Sequence, residues 1–336
     1  MPRLTASLAL AGMCLLAAGA SLHARIIEVP DHQRTIQNAY DVSRPGDTIL
    51  VHPGEYTCAI TIDHDLTLAG EYLLTGDTST VEETILRNEG SPIIQIGGVL
   101  VNFYLRGLSL RNARAGLIPA QNGQGAGTIE ISQCCFDTLS QRAVFLQAQF
   151  MLVERTTFRF CNCNQQPVYP IVQFQIRDQF NIPVLRQSSY LNCYSPLMVL
   201  DMGGWGGIVD ECYFEGNTGA NTGVIGPTTA SISNSVFVRN QGTCIAESYG
   251  IISNCRFEEN QAQNGILYYP RGRVTKCVFI GNIATRGGAI YTAQGLVDHC
   301  LFVDNYARDC GGAFFTNDYR GRLVNCTFYH NTARVC

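Results

Sequence analysis

From Val209 onward the apolar positions fall into one repeated order: an aliphatic residue, two small or polar residues, a cysteine or serine, one variable residue, a phenylalanine, then an asparagine three positions later. The phenylalanines are Phe214, Phe237, Phe257, Phe279, Phe302 and Phe328, at intervals of 23, 20, 22, 23 and 26. Asn217, Asn240, Asn260, Asn282, Asn305 and Asn331 follow them, and Cys212, Cys255, Cys277, Cys300 and Cys326 precede them, with Ser235 in the remaining copy. A period of this size is the mark of a solenoid, in which each unit buries its apolar face only against its neighbours. Within a unit, Val274 lies three residues before Cys277, which breaks the two-residue period of a strand. The same offset recurs at Val209, Ile252, Val297 and Leu323. Each coil is therefore read as several short strands joined at corners. The asparagines stack at one corner, and Gly-Gly, as in Gly287-Gly288-Ala289 and Gly311-Gly312-Ala313, supplies another.

The pattern loosens toward the N-terminus. Thr35 to Ser43 predicts a short helix capped by Thr35, with Ile36, Ala39 and Tyr40 on one face, stopped by Arg44-Pro45-Gly46. Strands are expected at Thr48–Val51, Ala59–Ile62 and Leu66–Leu68, with a turn at His52-Pro53-Gly54-Glu55. The helix suits a plug over the first coil, whose open edge would otherwise recruit other strands. Between residues 70 and 206 coils are legible at Leu105–Asn112 and Ile129–Phe136, with Phe158 and Tyr190 continuing the aromatic column across an insertion near 162–186. The glycine-rich stretches Asn122–Gly127 and Met202–Gly207 read as turns, since neither joins a strand to a helix.

Thr35-Ile36-Gln37-Asn38-Ala39 with Pro45-Gly46-Asp47-Thr48-Ile49 and Pro53-Gly54-Glu55-Tyr56 resembles the opening of right-handed parallel β-helix proteins of the pectin-lyase-like class. The Phe-x-x-Asn units with Gly287-Gly288-Ala289-Ile290 and Gly311-Gly312-Ala313-Phe314 are similar to polymorphic outer membrane protein repeats of bacterial surface adhesins. The expectation is an all-β, single-stranded right-handed parallel β-helix over residues 25–336 with an N-terminal capping helix. The adhesive role is what the resemblance implies; the spacing implies only the solenoid. The Asn331-Thr332-Ala333 phase stops at Cys336, where another Gly-Gly-Ala would fall, so the solenoid is expected to continue in a longer protein.

Residues 1–24, with Arg3, an apolar run from Leu8 to Ala20 and small residues after it, form the layout of a secretory signal peptide. Secretion or display at a cell or outer-membrane surface is expected, and no later stretch reaches the roughly 18 apolar residues of a spanning helix. Charged residues are 15% of the chain and the net charge is −4, which argues against nucleic acid. Of the 15 cysteines, Cys14 lies in the leader; the repeated ones sit at an inward position where relaxed disulfides between coils about 4.8 Å apart fit poorly. They read as a ladder of buried thiols, with pairing at Cys310 and Cys336 the alternative.

Carbohydrate-active enzymes share the scaffold and need clustered carboxylates, as an acid–base pair or as Ca²⁺ ligands. Asp210 and Asp298 are equivalent but four coils apart, while Arg239 with Glu259 and Asp304 with His330 read as cross-coil ion pairs. Asp63-His64-Asp65 reads as a solvated corner. Gln141-Arg142-Ala143-Val144-Phe145-Leu146 resembles a pectin methylesterase segment, without the Asp- and Arg-containing motifs that should follow. Cys134-Cys135 and Cys161-Asn162-Cys163 lack the second pair of a zinc site. No catalytic residue, metal site or cofactor is therefore assigned. Tyr268, Tyr291 and Phe315 hold one position on three successive coils and are the candidate ligand-binding residues, either stacking on one another or meeting a sugar or protein partner. The reading is a monomeric adhesin-like or scaffolding module that binds polysaccharide or a host or cell-surface glycoprotein. The alternative is a polysaccharide lyase or esterase with its site in residues 110–206.

Overall fold

The computed structural model describes residues 24–120, 125–176, 181–204, 206–318 and 320–335. The leader, Trp205 and Cys336, and with it the Cys310–Cys336 pairing, lie outside the described residues. Parallel strands follow one another around a single axis as a right-handed β-helix. A first ribbon of 13 strands runs from Ile26–Val29 to Arg322–Val324. A second ribbon carries the aromatics and runs through Cys135–Asp137 and Val278–Ile280 to Thr327–Tyr329.

The predicted odd spacing is resolved by one left-handed residue per coil between the two ribbons. Glu211, Asn234, Asn254, Lys276 and His299 have φ of 51°, 50°, 54°, 54° and 54°. The cysteine follows this bend and precedes the strand Val278–Ile280 that carries Phe279. The cysteine also does more than fill space. Cys277 Sγ donates to Thr275 O at 3.4 Å, and Ser235 Oγ, Ser188 Oγ and Thr156 Oγ1 donate to the matching carbonyls at 2.7, 2.9 and 2.9 Å. A hydroxyl replaces the thiol because the corner needs a small buried donor. Cys134, Cys212, Cys255, Cys277 and Cys300 are buried free thiols, and burial pushes Cys134 and Cys212 up to about 12.

Phe136, Phe158, Tyr190, Phe214, Phe237, Phe257, Phe279 and Phe302, all buried, and the exposed Phe328 of the last coil form one file, each ring stacked on the next at 4.7–5.1 Å. Asn217 to Asn331 form the expected ladder: each Nδ2 donates to a carbonyl of a preceding coil and, in all but Asn331, to the next asparagine's Oδ1, as Asn260 does to Phe237 O (2.8 Å) and Asn282 (3.0 Å). The helix Ile36–Val42 caps the first coil, with Thr35 accepting from Asn38 N. Tyr40 of that helix donates its hydroxyl to Asp63 and stacks on His64, so the 63–65 corner holds the plug. The turn expected at His52–Glu55 is shorter than that: Gly54–Thr57 is already a strand, paired with Thr84–Arg87.

Candidate functional site

A third strip of strands closes each coil: Val144–Leu146, Val172–Phe174, Leu200–Asp201, Ile225, Ile245–Ala246, Leu267–Tyr268, Ile290–Tyr291 and Phe314–Phe315. Their register aligns Val144, Val172, Leu200, Ile225, Ile245, Leu267 and Ile290, all 1% exposed or less, on the inner side. Side chains alternate across a strand, so the next residue of each faces outward: Phe145, Gln173, Asp201, Gly226, Ala246, Tyr268, Tyr291 and Phe315. Seven steps of about 4.8 Å make this an outward column roughly 34 Å long.

The expected candidates occupy one end of it. Tyr268 and Tyr291 stack with centroids 5.6 Å apart and planes 2° apart, and Tyr291 and Phe315 do so at 5.4 Å and 8°. Tyr269 meets both tyrosines edge-on, and the Arg286 guanidinium lies 5.2 Å from the Tyr291 ring centre and 5.8 Å from that of Phe315. Tyr291 is 6% exposed, whereas Tyr268 and Phe315 remain half-buried. The exposed side of Tyr268 lines a cleft of about 300 Å³ with Asn221, Thr243, Glu247, Gln263 and Asn264.

The other end falls within residues 110–206, where the alternative reading placed a site without naming its residues. Arg142, Phe145, Gln173, Gln175 and Asp201 line a second cleft of about 440 Å³. Arg142 sits 4.4 Å from the Phe145 ring centre and 3.7 Å from that of Tyr169. Most arginines here hold a carboxylate, but Arg142 has none within ion-pair distance among the described residues, and its Nε is buried without a partner. Burial pulls its pKa below the ordinary arginine value, and it remains a cation. Asp201 accepts from Gln173 Nε2 at 3.0 Å and from Gly203 N at 2.9 Å, and Gln173 Oε1 is buried with no donor. A guanidinium clamped between rings and lacking a carboxylate among the described residues can donate to an oxyanion, and the neighbouring carboxamides match hydroxyls. The one sequence signal was the Gln141–Leu146 segment.

A second charged cluster has a different character. Arg159 binds Glu82 through both terminal nitrogens and Asp137 through Nε, at 2.8, 3.1 and 2.8 Å. It pins the turn Thr78–Glu82 onto the second ribbon with its charges already matched. Asp210 and Asp298 lie four coils apart as expected, and Arg239–Glu259 and His330–Asp304 are surface contacts at 3.9 and 3.5 Å. No helix among the described residues is long and apolar enough to cross a membrane.

Residues 184–296 match the family described as "Right handed beta helix region". No curated protein matches the sequence. Among solved structures, the PL6 family alginate lyase AlyGC is similar over 93% of this chain and 53% of its own, at 12% identity and a TM-score of 0.51. This chain thus spans about half the length of AlyGC. An alginate lyase from Paenibacillus sp. str. FPU-7 is similar over 90% of this chain and 98% of its own, at 11% identity and a TM-score of 0.40. The A-module of a mannuronan C-5 epimerase from Azotobacter vinelandii is similar over 90% and 92%, at 12% identity and a TM-score of 0.42. What this chain shares with the family description and with AlyGC is the right-handed parallel β-helix fold.

Proposed function

We propose that this is a secreted or surface-displayed β-helix that binds an acidic polysaccharide along the outward column and acts on it at the Arg142 cleft. The observation that carries the reading is Arg142 itself: a half-buried cation without a carboxylate among the described residues, on the same strip of strands that ends in the Tyr268–Tyr291–Phe315 stack. Aromatic faces take sugar rings, carboxamides take hydroxyls, and the guanidinium takes the acidic group. In a uronate, pairing that carboxylate with Arg142 acidifies the adjacent carbon. Asp201, which lines the same cleft, takes the proton, and the glycosidic oxygen leaves as the double bond forms, drawing its own proton from water. AlyGC, of like fold, is described as an alginate lyase, and alginate is an acidic polymer.

Retention in gels carrying polyuronate, sulfated or neutral polymers tests binding, and ultraviolet absorbance of the unsaturated product tests turnover. Arg142→Gln is expected to weaken retention by about 10- to 100-fold, the loss of a charge-assisted hydrogen bond worth roughly 1.5–3 kcal/mol. Equal retention by neutral polymers, or by the variant, would overturn the proposal. The second reading is binding without turnover, an adhesin-like module of the kind the polymorphic outer membrane protein-type repeats imply. It is favoured by one observation: Asp201 is already held by Gln173 and Gly203. Retention with no unsaturated product from any polyuronate would select it.

A further inference from the structure

At the capped end of the helix, the register Val29–Val51–Gly70 places His52 and Glu71 at one position on successive coils, directly after Val51 and Gly70. Glu28 and Asp31 come from the coil before, on the first strand and the turn that follows it. His52 Nδ1 is engaged by the Glu71 carboxylate, which keeps the ring proton on Nδ1. Its Nε2 is buried and without a hydrogen-bond partner, yet faces Glu28 Oε2 at 3.6 Å and Asp31 Oδ2 at 3.8 Å. The three ligand atoms all lie within 4.8 Å of one another.

We infer that Glu28, Asp31 and His52 bind a divalent transition-metal ion, Zn²⁺ or a close analogue, with Glu71 orienting the imidazole. The lone pair of a neutral imidazole beside two carboxylates is repelled unless a proton on Nε2 or a metal cation between the groups offsets it. The separations are too long for hydrogen bonds. They lie a few tenths of an ångström beyond the roughly 3.3–3.4 Å that separates tetrahedral ligands at bond lengths of about 2.0–2.1 Å. An imidazole with two carboxylates selects against Ca²⁺ and Mg²⁺, which take oxygen alone. A carboxylate on the far ring nitrogen is the usual support of a metal-bound histidine. Three protein ligands leave a fourth position for water, and an ion here would tie the first coil to the second.

The test is titration of the chelator-treated full chain with Co²⁺, followed by its visible ligand-field bands, then displacement by Zn²⁺. The wild type is expected to bind one ion at this site without a sulfur-to-cobalt charge-transfer band, since the thiols are not ligands. Asp31→Asn, at a residue 67% exposed on its side chain, should fold normally by far-ultraviolet circular dichroism and bind at least tenfold more weakly. Glu71→Gln should weaken binding by about 10- to 100-fold, as changes at such supporting groups do. Absence of ligand-field bands, or equal affinity in Asp31→Asn and wild type, would overturn the inference and leave a protonated His52 among carboxylates.

Discussion

The coils after residue 207 and those before it obey the same architecture with different completeness. In the later coils the phenylalanine and asparagine columns are each filled by one residue type, and the asparagine ladder satisfies every amide it buries. In the earlier coils Leu139, Cys161 and Cys193 stand on the ladder line. Of nine buried side-chain polar atoms without a partner among the described residues, eight lie before residue 207, Arg142 Nε and Gln173 Oε1 among them. Repetition satisfies polar groups column by column. Where it lapses, groups are left to find partners outside the chain, and the Arg142 cleft lies there.

The largest effect should come from breaking the complete half. Asn260→Ala removes the acceptor of Asn240 N and Nδ2 and the donor to Phe237 O. Several buried groups then lose partners at once, and a cost of about 4 kcal/mol is expected by denaturant unfolding. Phe257→Ala opens a cavity in the aromatic file and should cost about 4 kcal/mol as well. The incomplete half predicts the opposite sign. Tyr190 is the one hydroxyl in the file, fully buried with no partner for its oxygen. Tyr190→Phe should therefore stabilise the chain by about 1 kcal/mol; a loss of stability would show that the hydroxyl is satisfied.

A smaller effect concerns acid. Arg273, and then His299, hold the buried Asp298 carboxyl well below the usual carboxylate range. A depressed folded value means that the stability it contributes is fully present above its unfolded value of about 3.9 and is lost as pH falls through the folded one. Asp298→Asn should be less stable than wild type near neutrality, with the gap closing in acid. A gap that stays constant with pH would contradict the pairing.

The difference between the halves also explains what the sequence revealed. The solenoid, the capping helix, the aromatic file and the asparagine ladder were legible because each is written many times or carries a local signal such as Thr35. The bend was legible too, from the three-residue offset filled by Ser253-Asn254, Thr275-Lys276 and Asp298-His299; its left-handed angle was not, because Lys276, Asn254 and Glu211 share no side-chain type. Thr84–Ile96, a strand interrupted by register shifts around Asn88, had no period to display. Arg142, Tyr169 and Asp201 come from a region with an insertion, so no fixed spacing joins them. Likewise, Glu28, Asp31, His52 and Glu71 meet only through the register of three coils.

The central claim is that one ligand lies along the outward column from the Arg142 cleft to Phe315. Calorimetric titration with uronate oligomers of increasing length, beside neutral oligomers of equal length, measures it most directly. Affinity should rise with length until the oligomer spans the column, with Arg142→Gln and Tyr268→Ala each lowering it for long oligomers only where they reach. Affinity independent of length, or matched by the neutral series, would contradict it.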